Sequence, residues 1–322
     1  MKNFLIVFFH ILFAETIILI ESPLQFINFL EYVHHYKKHK KRFKNKIICL
    51  IGIYENNIST IKKINKRYNN NNNKFVILKK NINFGFLLFL LKIRTFFSKI
   101  KLLIIGDINS YLNREFYKKS KKVILLDDGT NSLDYNNYKL ITKKLAIFSI
   151  FNKKIFNHKN VTLNKLHFLK SKIKNQKSKK EIMILGSPFV EYNLINKKKY
   201  ISLLKNIKYK FSNYKILYLP HPKEDYNYIL KHNFFEVIKV NCPAEIYLVE
   251  KKFYPTKIIG FNSTAILTLK IMYENKIIFY NFDLNFRTKS KNKNSRKIIL
   301  RHRKISSYFN EFLKIKNYYL EL

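Results

Sequence analysis

Several short stretches of this chain carry residue types that could do chemistry, and they follow apolar runs or open helices. Lys215–Pro222 reads KILYLPHP, and Ile216, Leu217, Tyr218 and Leu219 have the pattern of a buried strand in a parallel sheet. Pro220 has no N–H to give the ladder, and Pro222 fixes the backbone after the histidine. His221 therefore leaves the carboxyl end of a strand in a stiff loop, where open α/β sheets place their ligands. A turn histidine that happens to fall between prolines is the plain alternative, and this stretch by itself does not decide. Asp127-Asp128-Gly129-Thr130 follows the apolar run Val123–Leu126. Two adjacent carboxylates at a buried strand end cost desolvation energy unless they have partners or a task. Gly129 permits a sharp turn, so that one carboxylate faces a cleft while the other caps the next segment; a simple capping turn explains the same residues. Phe261-Asn262-Ser263-Thr264 brings hydroxyls and free N–H groups to a helix N-terminus, which suits a phosphate and equally suits ordinary N-capping. Gly186-Ser187-Pro188 makes another turn after Glu181–Leu185. Cys242-Pro243-Ala244-Glu245 opens a helix with a carboxylate in its first turn.

The elements that must hold these residues alternate. Thr16–Ile20 is the first core strand, followed by the polar turn Glu21–Gln25 and a helical run, the opening of a Rossmann-like half. The turn has no glycine fingerprint, so a dinucleotide is not indicated. Lys37–Lys46 is a basic helix end and loop, and Asn69–Asn73 a low-complexity loop. Further strands fall at Lys46–Ile53, Phe75–Leu78, Lys101–Ile105 and Val123–Leu126, with an apolar helix over Phe84–Ile100. Ile141–Lys180 reads as an irregular basic tail and linker. A second series then places strands at Glu181–Leu185, Lys215–Leu219, Phe235–Val240, Lys257–Gly260 and Lys276–Phe279, and helices near Lys197–Phe211 and Asp225–His232. Lys289–Lys297 is a basic loop and Ser306–Tyr319 an amphipathic closing helix. The expectation is an α/β protein of two Rossmann-like domains facing a central cleft. Residues 1–175 form the first, with 1–15 an apolar extension, and 176–322 the second with its closing helix.

Lys and Arg number 63 against 20 Asp and Glu, a net charge of +43, spread over the whole chain. Such an excess suits nucleic acid, an anionic membrane face or a phosphorylated substrate, and it also follows from drift toward Lys, Asn and Ile. No nucleic-acid module is recognisable, which favours drift together with a membrane-facing surface. Cys49 and Cys242 lie far apart, so there is no disulfide scaffold, and a reducing cytoplasm fits. The apolar stretch Phe4–Ala14 is interrupted by Glu15 and falls short of the roughly 20 residues of a spanning helix. Ala14-Glu15 is a poor signal-peptide cleavage site. These features together place the chain in the cytoplasm, peripheral on an inner membrane.

Taken in order, ESPLQ (Glu21–Gln25), LLDDGTNSL (Leu125–Leu133), ILGSP (Ile184–Pro188), LPHPKEDY (Leu219–Tyr226), PAEIYL (Pro243–Leu248) and FNSTAILTL (Phe261–Leu269) resemble the bacterial sialyltransferases. Glycosyltransferase family 52, the lipooligosaccharide sialyltransferases, is the nearest in pattern, and the bacterial polysialyltransferases share the signature. The resemblance spans residues 16–280. It implies a GT-B fold, CMP-sialic acid as donor, a glycan or glycolipid acceptor, inversion at the anomeric carbon, and neither metal nor other cofactor. A leaving diphosphate calls for a cation, whereas CMP is a monophosphate that a histidine, hydroxyls and helix dipoles can hold. In the polysialyltransferase-like pattern Asp127 is the base. In family 52 a carboxylate just after the GSP turn has that role; here Phe189 stands there and Glu191 follows two residues on, so Glu191 ranks second. By the same resemblance His221 donates to the CMP phosphate, and Ser263 and Thr264 hold its oxygens. Glu245 takes the ribose hydroxyls, Gly186 and Pro188 wall the cytosine, and Asp128, Gly129, Ser187, Pro222 and Asn262 complete the substrate contacts. Three rivals stand beside this reading: the same architecture with another nucleotide sugar, a capsule polysialyltransferase, and a basic nucleic-acid-binding protein with no need of Asp127 or His221.

Overall fold

A computed structural model describes residues 14–38, 46–52, 55–68, 75–79, 99–137, 142–240, 242–284, 293–313 and 315–320, with single helical positions between 85 and 96. Residues 1–13 of the expected 1–15 extension, the loop at Asn69–Asn73, most of the Phe84–Ile100 helix and residues 39–45 of the basic run lie outside them. The chain divides into two compact units, Met1–Phe168 and Leu169–Leu322.

The first unit is built on a sheet of seven parallel strands in the order β3-β2-β1-β4-β5-β6-β7. Its strands are β1 Thr16–Ile20, β2 Lys46–Gly52, β3 Phe75–Lys79, β4 Ile100–Ile105, β5 Ser120–Leu126, β6 Leu145–Ser149 and β7 Val161–Leu163. All five residues of β1 (TIILI) are buried, as a strand covered on both faces requires. The register Leu19↔Ile105 and Ile105↔Leu125 keeps the ends of β1, β4 and β5 level. Helix Pro23–Lys38 starts on a proline, whose missing N–H costs nothing there, and buries Phe26, Phe29, Leu30 and Val33. Helix Tyr111–Lys118 is capped by Ser110, whose Oγ accepts from the Asn113 N–H at 3.3 Å.

The second unit repeats the winding with six parallel strands in the order β10-β9-β8-β11-β12-β13. These are β8 Lys177–Leu185, β9 Lys215–Leu219, β10 Glu236–Val237, β11 Phe253–Gly260, β12 Ile278–Leu284 and β13 Lys316–Leu320. Helix Lys197–Lys210 is capped by Asn196 and packs Tyr200, Leu203, Leu204 and Ile207 into the core with Phe189, Tyr218 and Phe261. In each sheet the first strand of the unit lies inside, the next two are laid outward on one side, and the chain then crosses over to build the other side. That is the Rossmann strand order.

Three expectations are corrected. Ile141–Lys180 is no linker: it supplies β6, β7, the helix His167–Lys172 and the start of β8. Leu145, Ile147 and Phe148 are buried and pair with β5, and the Lys- and Asn-rich turns around them masked that short run. The basic loop Lys289–Lys297 is helical from Lys293, since helix Lys293–Tyr308 starts inside it. The closing helix over Ser306–Tyr319 ends early, at Tyr308; a π turn over Phe309–Leu313 follows, and then β13. An edge position beside β12 was open to a strand, and Tyr318 stacks on Phe282 at 5.2 Å there.

Candidate functional site

In a sheet wound this way a crevice opens outside the carboxyl ends where the chain reverses direction. In the second unit that point lies between β8 and β11, with β9 adjoining β8. Because the strands are parallel, Gly186-Ser187-Pro188 after β8, His221 after β9 and Phe261–Thr264 after β11 emerge along one edge. Three of the stretches singled out in the sequence, 78 residues apart at their extremes (Gly186 to Thr264), are thus neighbours.

His221 sits in a tight turn. The Glu224 N–H donates to the His221 carbonyl at 2.9 Å, and the His221 N–H donates to Glu224 Oε2 at 3.0 Å. The Lys223 N–H donates to His221 Nδ1 at 3.1 Å. An accepting Nδ1 puts the ring proton on Nε2. Burial, with Lys223 adding to it, pushes the imidazole down to about 4, so it is neutral near pH 7. The side chain is therefore a fixed Nε2–H donor at a strand end, which is what a phosphate oxygen accepts from.

The glycine turn is fixed to this loop. The Gly186 N–H donates to the Leu219 carbonyl at 2.8 Å. The Ser187 N–H donates to the Tyr200 hydroxyl at 3.2 Å, the Tyr200 and Tyr218 hydroxyls are 3.0 Å apart, and Tyr218 donates to Glu224 Oε1 at 2.5 Å. A Cβ on Gly186 would come within 2.3 Å of Glu224 Oε2 and 2.6 Å of the Tyr218 hydroxyl. Both neighbours are buried and hydrogen-bonded, so neither can yield cheaply. Gly186→Ala should lower the midpoint of thermal unfolding by several degrees, the effect of roughly 1–3 kcal/mol of overpacking. An unchanged midpoint would show that the turn has room the packing denies it.

Helix Thr264–Tyr273 begins at the same edge, and Ser263 Oγ caps it by accepting from the Ala265 N–H at 3.2 Å. Asn262 has φ 50°, the left-handed region that asparagine tolerates better than most residues. Its side chain is turned inward: Nδ2 donates to Asp283 Oδ1 at 3.0 Å, and Oδ1 accepts from Asn281 Nδ2 at 2.6 Å. It shapes the turn that presents Ser263 and Thr264. Glu245 is 4 % exposed and accepts from the Thr268 hydroxyl, tying helix Ala244–Val249 to helix Thr264–Tyr273, and burial raises its carboxyl. Pro188 is buried and Pro222 exposed. Glu191 Oε1 accepts from the Asp225 N–H at 2.9 Å, and its Oε2 is buried without a hydrogen-bond partner.

In the first unit the reversal lies between β1 and β4, and the ends of β1, β4 and β5 carry Glu21, Asp107 and Asp127-Asp128. Asp127 is fully buried: Oδ1 accepts from the Ser149 hydroxyl at 2.5 Å and Oδ2 from the Ile150 N–H at 2.6 Å. Burial pushes its carboxyl up to about 7 against those two donors. Asp128 accepts from Gln25 Nε2 at 2.8 Å and from Asn131 Nδ2 at 2.6 Å, and Gly129 at φ 63° makes the turn between the carboxylates and the 3₁₀ stretch that follows. Glu21 is half-buried and accepts from Asn113 Nδ2 at 3.3 Å. Burial first, then Asp107 and Asp128, push it up to about 7. Glu21 stands within ESPLQ, where the resemblance assigns it no role. Its signal is a carboxylate one residue past an interior strand, β1. Glu224 was missed in the same way inside LPHPKEDY. Among the described residues no three His, Cys, Asp or Glu are grouped to hold a metal ion.

The second-unit edge can be compared with known proteins. Residues 152–282 match the model of the alpha-2,8-polysialyltransferase family. That segment includes Gly186–Pro188, His221, Glu245 and Asn262–Thr264, and leaves out Glu21, Asp127 and Asp128. A search of curated proteins finds no match. Among solved structures, an α/β-galactoside α-2,3-sialyltransferase from the luminous marine bacterium Photobacterium phosphoreum is similar over 94 % of this chain and 97 % of its own, at 12 % identity and a TM-score of 0.51. The UDP-GlcNAc 2-epimerase of Methanocaldococcus jannaschii is similar over 91 % of each chain, at 14 % identity and a TM-score of 0.53. These two likenesses establish the fold, an α/β architecture of GT-B type. The resemblance to bacterial sialyltransferases is borne out by the family match together with that fold; a place in family 52 specifically is not.

Proposed function

We propose that the protein is an inverting sialyltransferase that moves sialic acid from CMP-sialic acid to a hydroxyl of a surface glycan such as lipooligosaccharide, without a metal. The observation that carries this reading is the gathering of Gly186–Pro188, the neutral Nε2–H of His221 and the Ser263-capped helix N-terminus at one sheet edge, inside the segment that matches a sialyltransferase family. The second unit then holds the donor and the first the acceptor. The acceptor oxygen attacks the anomeric carbon, the bond from that carbon to the phosphate oxygen breaks, and the electron pair leaves with CMP. His221 and the Ser263 and Thr264 groups take the charge that grows on the phosphate. Asn262 and Glu245 support this from behind, as the turn and the helix brace. Asp128 and Gly129 set the acceptor side, and Pro222 stiffens the His221 loop.

The proton of the acceptor goes to a carboxylate. Asp127, the first choice from sequence, has both oxygens occupied by interior donors, and Glu191 has one oxygen on a backbone N–H and the other buried. Glu21 combines partial exposure, a position at the chain reversal and an affinity for protons raised to about 7, so it takes the role in this reading. The net charge of +43 supports a further element, attachment to an anionic membrane face where lipid-linked acceptors are made. Among the described residues no helix is long and apolar enough to cross a membrane.

Incubation with CMP-sialic acid and a panel of terminal-galactose and terminal-sialic-acid acceptors, followed by mass spectrometry, tests the reading. One or more acceptors should gain one sialic acid mass, or a ladder of them if the product is a polymer. No gain across the panel would reject it.

A further inference from the structure

Glu224 follows His221 by three residues, is buried, and has both carboxylate oxygens in use, one on the turn backbone and one on a β9 side chain. Oε2 accepts from the backbone of His221. Oε1 accepts from Tyr218, and because Tyr218 spends its proton there, the contact between the two phenols runs with Tyr200 as donor and Tyr218 as acceptor. Tyr200 in turn accepts from the Ser187 N–H. The donations point one way, from Ser187 N–H through Tyr200 and Tyr218 to Glu224, and the carboxylate that ends the chain also closes the histidine turn. Gly186 is the residue that leaves room for it, since any Cβ there would strike Glu224 Oε2. Tyr200 and Tyr218 are both 0 % exposed, so water cannot replace a missing member of the chain.

We propose that Glu224 is a positioning residue that locks the His221 turn to the Gly186–Pro188 turn, so that the imidazole donor and the glycine-turn backbone meet a ligand as one rigid surface. The assignment of His221 to donor chemistry rests on the proposed function; the lock itself does not. A glutamine at 224 keeps the shape and fails the chemistry either way round. With its amide nitrogen toward His221, two donors face each other. With it toward Tyr218, that hydroxyl must turn round to accept, its proton goes to Tyr200, and the Tyr200 proton loses its acceptor in the interior. Either way one link of the lock opens, and the turn that carries the Lys223 N–H to His221 Nδ1 is no longer braced.

The test uses the full chain, ¹⁵N-labelled at histidine, with His221→Ala supplying the assignment. In the wild type the His221 ring should show a single Nε2–H tautomer. In Glu224→Gln and in Tyr218→Phe that pattern should give way to a tautomer mixture, while circular dichroism stays that of the folded protein. Turnover of CMP-sialic acid should fall about 10- to 100-fold, mainly in kcat, as expected when a catalytic donor is misplaced by around an ångström. Tyr218→Phe cuts Glu224 off from the Tyr200–Ser187 arm, leaves the carboxylate and the His221 turn it holds free to shift, and decides the matter if Glu224→Gln does not fold. Wild-type tautomer patterns in the folded variants overturn the lock, whatever the donor proves to be. A lost pattern in a protein that consumes no CMP-sialic acid keeps the lock and rejects the sialyltransferase reading.

Discussion

His221→Ala should reduce turnover about 10²- to 10⁴-fold and leave the fold intact, the range expected when a positioned proton or hydrogen-bond donor is removed. The side chain stands in a loop after β9 and is not among the core residues, so its loss opens no large cavity. Its backbone bonds to Glu224 remain, because they do not involve the imidazole. The pH dependence separates two roles that histidine could play. With the free ring pushed down to about 4, His221 stays neutral from pH 8 to pH 5, and a donor acting through Nε2–H needs no protonation in that range. The kcat/KM profile of the wild type should therefore show no inflection near 6.5 that His221→Ala removes. Such an inflection would make His221 an acid that must first be charged. Equal rates for His221→Ala and wild type would remove it from the chemistry altogether.

Asp127→Ala should destabilise the first unit by about 3 kcal/mol, since it strands the Ser149 hydroxyl and the Ile150 N–H in the interior at roughly 1–3 kcal/mol each. Asp127→Asn should be tolerated, with the amide oxygen serving Ile150 and the Ser149 hydroxyl turning round to accept from the amide nitrogen. The sign with pH follows from the direction of the shift. A carboxyl raised from 3.8 to about 7 contributes stability that is complete below pH 4 and is lost as pH rises through 7. Urea unfolding of Asp127→Asn should accordingly depend less on pH between 4 and 7 than that of the wild type. In the proposed reaction Glu21→Gln abolishes transfer in a folded protein and Asp127→Asn does not. A folded, inactive Asp127→Asn beside an active Glu21→Gln would return the base to Asp127.

Much of the architecture was legible because buried parallel strands are written as continuous apolar runs. Thr16–Ile20, Val123–Leu126 and Lys215–Leu219 stood out for that reason, and each delivers a polar residue at its carboxyl end. The gathering of the glycine, histidine and serine turns could also be anticipated, since parallel strands put all such ends on one side. What the pattern could not supply was the destination of each side chain. Asp127 and Asp128 are neighbours in sequence, yet one is fully enclosed and the other held at the edge by Gln25 and Asn131. Asn262 and Glu245 looked equally ready for a ligand and turned out to serve Asn281, Asp283 and Thr268 inside the unit. The partners that decide this lie 19 to 23 residues away in sequence in those cases, and 103 away for Gln25 and Asp128. Strand β13 escaped notice because Lys316–Leu320 follows closely on a helix and reads as its continuation; the open edge beside β12 takes it as a strand.

The central claim is that the edge of the second sheet holds a cytidine monophosphate sugar. The most direct measurement is the rate of nucleotide release by one preparation given CMP-sialic acid or UDP-GlcNAc, each with and without His221→Ala. CMP release that His221→Ala suppresses is expected, with UDP release no faster than in buffer. UDP release at the higher rate, or CMP release indifferent to His221, would contradict that claim.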